Sequence, residues 1–135
     1  MKGSGLGVEQ AMEAAEEAAA RAYAPYSNFR VGAAIVTEGG EVYTGCNVEN
    51  ASYGLAICAE RNAAAAMVLG TGEEGRRISY VAVASLEASP AFPCGACRQV
   101  LHEFGCGEVV VREAGGVRSY PFEQILPNAF GPEDL

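Results

Sequence analysis

A chain of 135 residues, half of them hydrophobic and 19% charged, is long enough for one domain with a real core and too apolar for a disordered segment. Its formal charge of −8 argues against nucleic acids and anionic membranes as partners, because phosphate binding needs clustered Lys and Arg. No apolar run approaches the roughly 18 residues of a membrane span, the opening MKGSGLGVEQ lacks a signal-like apolar stretch, and five cysteines in that setting point to metal or catalysis rather than disulfides.

The expected protein is therefore soluble and cytoplasmic. VEQAMEAAEEAAARAYA, rich in Ala and Glu, predicts a helix over about residues 8–23. Pro25, Ser27 and Asn28 break it with a turn. RVGAAIVTEGGEVYTGCNV holds two strand-like runs around Gly39-Gly40, a hairpin. After a loop, a second helix runs from about Cys58 to Leu69, ended by Gly70. ISYVAVASL is a third strand, CGACRQVLHEFG a helix capped by Gly105, EVVVRE a fourth strand and VRSYPF a short fifth. The tail carries one helical turn and then irregular chain. This order predicts an α/β sheet with helices packed against it, in one domain without repeats or linkers.

Two stretches carry the chemistry. In PCGACRQVLHEF, Cys94 and Cys97 are three apart at a helix start, so their sulfurs can face one point. In ICAERNA, Cys58 opens the other helix, with Glu60 two residues on. Helix N-termini carry partial positive charge and favour thiolates. Three thiolates leave one tetrahedral position free, the geometry of a catalytic zinc whose open position takes water. Glu60 is then free to move that water's proton. A lone C-x-x-C also fits a redox pair or half of a structural zinc site, and PCGAC looks like a thioredoxin-type sequence. That sequence normally follows the first strand of its fold, whereas here it lies deep in the chain, and the second Cys-x-Glu helix start favours the catalytic metal. Cys46 and Cys106 are expected to be small buried residues, and His102, off the face of Cys94 and Cys97, a non-ligand. Asn47 and Glu49, two apart at a strand end, point to the same side and can hold one hydroxyl between them.

Cys58-Ala59-Glu60 with Pro93-Cys94-x-x-Cys97 matches the zinc nucleobase deaminase signature in a three-cysteine form. YAPYSNFRVGAA, GCNVENASYGL, ICAERNA, PCGACRQVLHEF and LPNAF together resemble the small homotetrameric cytidine deaminases, in order from about Tyr23 to Phe130. The resemblance implies a three-layer α/β/α fold with a mixed sheet of about five strands and one zinc per chain. It also implies hydrolysis of cytidine and deoxycytidine to uridine and deoxyuridine with release of ammonia. By the same resemblance, Asn47 and Glu49 hold the ribose 3′-hydroxyl, Phe29 meets the pyrimidine ring, and the Ala59 backbone contacts the base. Tyr53 and Phe130 are further substrate contacts, Phe130 through a neighbouring subunit. Arg61 is expected to offset thiolate charge, with Arg98 as its rival and Gln99 as a second donor to sulfur. Two alternatives are a deaminase of a nucleoside analogue such as blasticidin S and a thiol-disulfide redox protein using Cys94 and Cys97.

Overall fold

The computed structural model describes residues 7–135, so most of the opening stretch searched for a leader lies outside it. Five strands form one sheet in the order β2-β1-β3-β4-β5. They are β1 (Val31–Thr37), β2 (Val42–Cys46), β3 (Ile78–Ser85), β4 (Glu108–Glu113) and β5 (Gly116–Pro121). β3 and β4 are parallel, and the other neighbours are antiparallel. The sheet is mixed, as expected.

Period-two alternation sends each strand's apolar residues to both faces, because both are covered. Ala34, Val36, Ala82, Ala84 and Val110 meet Ala11, Met12 and Ala15 of helix α1 (Val8–Ala19). Ala33, Ile35, Val81, Val83, Val109 and Val111 meet Ala59, Ala63 and Met67 of helix α2 (Ala59–Thr71) and Leu101 of helix α3 (Gly95–Glu103). A short α4 (Phe122–Ile125) closes that second core. The result is three layers, helix on sheet on helix.

Two helix ends differ from the sequence expectation. α1 stops at Ala19 rather than near residue 23, because Tyr23 is drawn into a bridge with Val48. The Tyr23 N–H donates to the Asn47 carbonyl at 3.0 Å, and the Glu49 N–H donates to the Tyr23 carbonyl at 2.8 Å. α2 runs through Gly70 to Thr71, and Gly72, at φ +72°, is the cap. Gly70 is small for a different reason: a Cβ there would come within 2.5 Å of the Tyr43 ring.

The strand directions place the functional residues. The register pairs Gly32 with Cys46 and Val31 with Ser85. The start of β1 therefore lies beside the ends of β2 and β3. The chain segments entering α2 and α3 leave from that same end of the sheet.

Candidate active site

Cys58 is the N-cap residue of α2 and Cys94 that of α3, both with extended backbone. Cys97 lies in the first turn of α3, fully buried. The Cys58 and Cys94 Sγ atoms are 3.8 Å apart, and all three sulfurs lie within 4.8 Å of one another. A tetrahedral ion with Zn–S bonds of about 2.3 Å separates its sulfurs by about 3.8 Å. Among the described residues this is the one group of His, Cys, Asp or Glu side chains assembled in this way.

The electrostatics of the donor set differ from thiol to thiol. Burial, then the charges of Glu60 and Cys58, push the Cys97 thiol far above its ordinary value. Burial also pushes Cys94 up, but the backbone N–H groups of Cys97 and Ala96 and the neighbouring thiols outweigh it, so its pKa falls. A divalent cation at the centre reverses the opposition at Cys97 and allows all three to ionise. A redox pair at Cys94 and Cys97 has no use for a third thiol this close. Three soft sulfurs at these separations fit zinc, which Cys58, Cys94 and Cys97 would hold.

Glu60 is 3% exposed and sits in the first turn of α2. Burial raises its carboxyl pKa, against the lowering influence of its own backbone, Cys97 and Arg61. Arg61 Nη2 is 3.6 Å from Cys58 Sγ. Its pKa is raised first by that contact, with Cys97 adding to it, and its buried Nε has no partner. The structure thus places Arg61 against the thiol cluster. It does not do so for the other two candidates. Arg98 donates to the Pro93 and Ile125 carbonyls, both at 2.7 Å, and holds the loop before α3. Gln99 donates to the Phe130 carbonyl at 2.7 Å rather than to a sulfur. In both cases a carbonyl distant in sequence captures the donor.

The cluster opens into a cleft of about 480 Å³ lined by Phe29, Asn47, Glu49, Cys58, Ala59, Glu60 and Cys94, among others. Asn47 has both ends of its amide engaged. Its Oδ1 accepts from the Val31 N–H and its Nδ2 donates to the Phe29 carbonyl, each at 2.9 Å. It therefore pins the Phe29 segment to the end of β2. Glu49 accepts from the Tyr26 and Ser27 N–H groups and the Ser27 hydroxyl. These bonds, the hydroxyl foremost, hold its carboxyl pKa low. Tyr53 lies outside this cleft. It lines an adjoining cavity of about 320 Å³ with Tyr26, Ser27 and Glu49, and its ring meets Tyr26 edge-on at 6.4 Å. Phe130 is 60% exposed and lines neither cavity.

Among the remaining cysteines, Cys106 is buried and its pKa is pushed up to about 12 by that burial. Cys46 is only half-buried, because it ends the edge strand β2, and its thiol meets the Arg21 carbonyl. His102 lies away from the cluster, stacked on Phe122 and 3.4 Å from Glu133. Sequence reading missed Ser27, which looks like an ordinary turn residue until its hydroxyl is found on Glu49. It also missed Pro90, Ala91 and Phe92, which wall the cleft from the loop between β3 and α3. Only their position just before Cys94 could have flagged them.

Residues 7–113 match the model of the cytidine and deoxycytidylate deaminase zinc-binding region. The cytidine deaminase of Mycobacterium tuberculosis is 47% identical over 121 residues, covering 90% of this chain and 87% of that one. That of Sporosarcina psychrophila is 39% identical, covering 96% of each. The crystal structure of cytidine deaminase from Burkholderia pseudomallei superposes with a TM-score of 0.81 at 48% identity, over 93% of this chain and all of the other.

Proposed function

Since the chain belongs to the cytidine and deoxycytidylate deaminase zinc-binding family, we propose that its cleft deaminates cytidine and deoxycytidine by hydrolysis. The observation that carries the reading is a buried carboxyl, Glu60, beside three clustered thiols, two of which, Cys58 and Cys94, line the same cleft as Glu60. Zinc, when bound there by Cys58, Cys94 and Cys97, makes water acidic enough to serve as a nucleophile at neutral pH. The chain's own residues do the rest. Glu60 takes one proton from water and gives it to the ring nitrogen as the water oxygen bonds to the amine-bearing carbon. It then takes the second proton from the hydroxyl so added and passes it to the amine, which leaves as ammonia while the ring carbonyl forms. Water and cytidine thus give uridine and ammonia. The Ala59 backbone holds the base beside Glu60, and Phe29 packs on the ring face. Asn47 fixes the Phe29 segment and offers its second amide hydrogen to the sugar 3′-hydroxyl, whose own proton Glu49, held ionised by Ser27, accepts. Arg61 offsets the excess negative charge of three thiolates on a divalent ion.

The working form is a cytoplasmic homotetramer. Support comes from Tyr23, Tyr26, Tyr53, Leu55 and Phe130, large apolar side chains left exposed on a single chain. Phe130 then acts across subunits, while Tyr53 serves the site from its own chain through the cavity it shares with Glu49. Among the described residues no helix is long and apolar enough to cross a membrane.

Ultraviolet monitoring of cytidine with the zinc-loaded protein tests the activity. Loss of cytidine absorbance with release of ammonia is expected, and an unchanged spectrum would refute it. 3′-Deoxycytidine should be a poor substrate, because the Glu49 carboxylate would lose the sugar hydroxyl as a donor. Equal turnover of the two would remove the sugar assignment while leaving the deamination.

A further inference from the structure

A pyrimidine has one polar edge and one apolar edge. Under the deaminase reading, on which this inference rests, Ala59 and Glu60 serve the polar edge and Phe29 the ring face. The C5–C6 edge carries only C–H groups and needs an apolar wall. The cleft's uncommitted apolar wall comes from the loop ahead of α3, and its largest member is Phe92. Phe92 stands two residues before Cys94 and is 38% exposed, so part of its ring faces open space. It does not hang freely. Its ring meets Tyr120 of β5 edge-on, with centroids 5.3 Å apart and planes at 73°. Tyr120 is itself fixed: its hydroxyl donates to Glu113 of β4, and the Arg118 guanidinium lies 4.6 Å from the centre of its ring. Edge-to-face pairs of this kind hold a ring in one orientation. Phe92 is thus braced by the β4–β5 hairpin, whose residues lie outside the cleft lining.

We propose that Phe92 is a specificity-determining residue, that it limits the substituent a pyrimidine nucleoside carries at C5, and that Tyr120 is the positioning residue that keeps it there. A fixed ring against that edge admits hydrogen, resists a methyl group and excludes a rigid longer chain.

The test compares kcat/KM for cytidine, 5-methylcytidine and 5-propynylcytidine in the zinc-loaded parent, Phe92→Ala and Phe92→Leu. The parent should prefer cytidine. Phe92→Ala should raise the 5-propynyl-to-cytidine ratio by about 10-fold or more, the scale on which one or two carbons are discriminated in an apolar pocket. Phe92→Leu should fall between them, and it decides the matter if the alanine variant does not fold. Tyr120→Leu should shift the ratio in the same direction, mainly through KM of the substituted substrate. Tyr120→Phe, which keeps the edge contact, should retain the parent's selectivity. A ratio unchanged in both Phe92 variants overturns the proposal. A zinc-loaded parent that leaves cytidine untouched overturns the deaminase reading instead.

Discussion

At the scale of single residues, Glu60 and the three thiols are separable by experiment. Glu60→Gln keeps the shape of the side chain and removes its base, so zinc content and fold should persist while turnover falls by ~10²–10⁴-fold. Cys58→Ala, Cys94→Ala and Cys97→Ala should each lose both zinc and activity. Cys46→Ala and Cys106→Ala should keep both, because neither thiol belongs to the cluster. Metal analysis of the purified variants checks this, and zinc retained by Cys58→Ala would remove it from the ligand set. Arg61 is the intermediate case. Its guanidinium lies against Cys58 without being needed to hold a metal, so Arg61→Gln should bind zinc but turn over more slowly. An unchanged rate would reduce Arg61 to a packing residue.

At the scale of elements, the distance between α2 and the edge strand is set by one missing side chain. A Cβ on Gly45 of β2 would come within 2.5 Å of Ala63 N and 2.6 Å of the Ala59 carbonyl oxygen. Neither backbone atom can turn aside. Gly45→Ala should therefore lower stability by about 1–3 kcal/mol and weaken zinc binding, because it displaces the turn that carries Cys58 and Glu60. Gly115→Ala, where a Cβ would meet nothing within 4 Å, is the control. Denaturant unfolding with zinc titration reads both effects. The elements themselves were largely legible in the chain. EVVVRE is β4 residue for residue, and the Gly39-Gly40 hairpin stands as expected. Cys58-x-Glu60 and Cys94-x-x-Cys97 were legible because their spacing is local and their chemistry specific. What escaped depended on partners distant in sequence. Tyr23 leaves its helix for Val48, Gly70 makes room for Tyr43 rather than ending α2, and Gln99 bonds a carbonyl 31 residues away in sequence. No local pattern announces such partners.

At the scale of the whole molecule, light scattering should find a tetramer in the active preparation. An active monomer would leave Phe130 without a role in the site. The arrangement of the two helix starts has a further consequence, for heat resistance. The ends of α2 and α3 that meet at the sulfurs are separated by 36 positions in sequence, and each helix packs against the sheet's second core. An ion gripped there exists only in the folded chain, so its binding energy adds to the folding energy. Stability then follows the free zinc concentration: at 100 times the dissociation constant the gain is about 2.7 kcal/mol. For a domain of this size that corresponds to a rise of about 10 °C in Tm. A series of zinc buffers read by calorimetry should show Tm climbing with the logarithm of free zinc. Amide exchange should slow first in the opening turns of α2 and α3. A Tm independent of zinc would mean that the folded chain binds the ion no better than the unfolded one, and would remove the metal from this site.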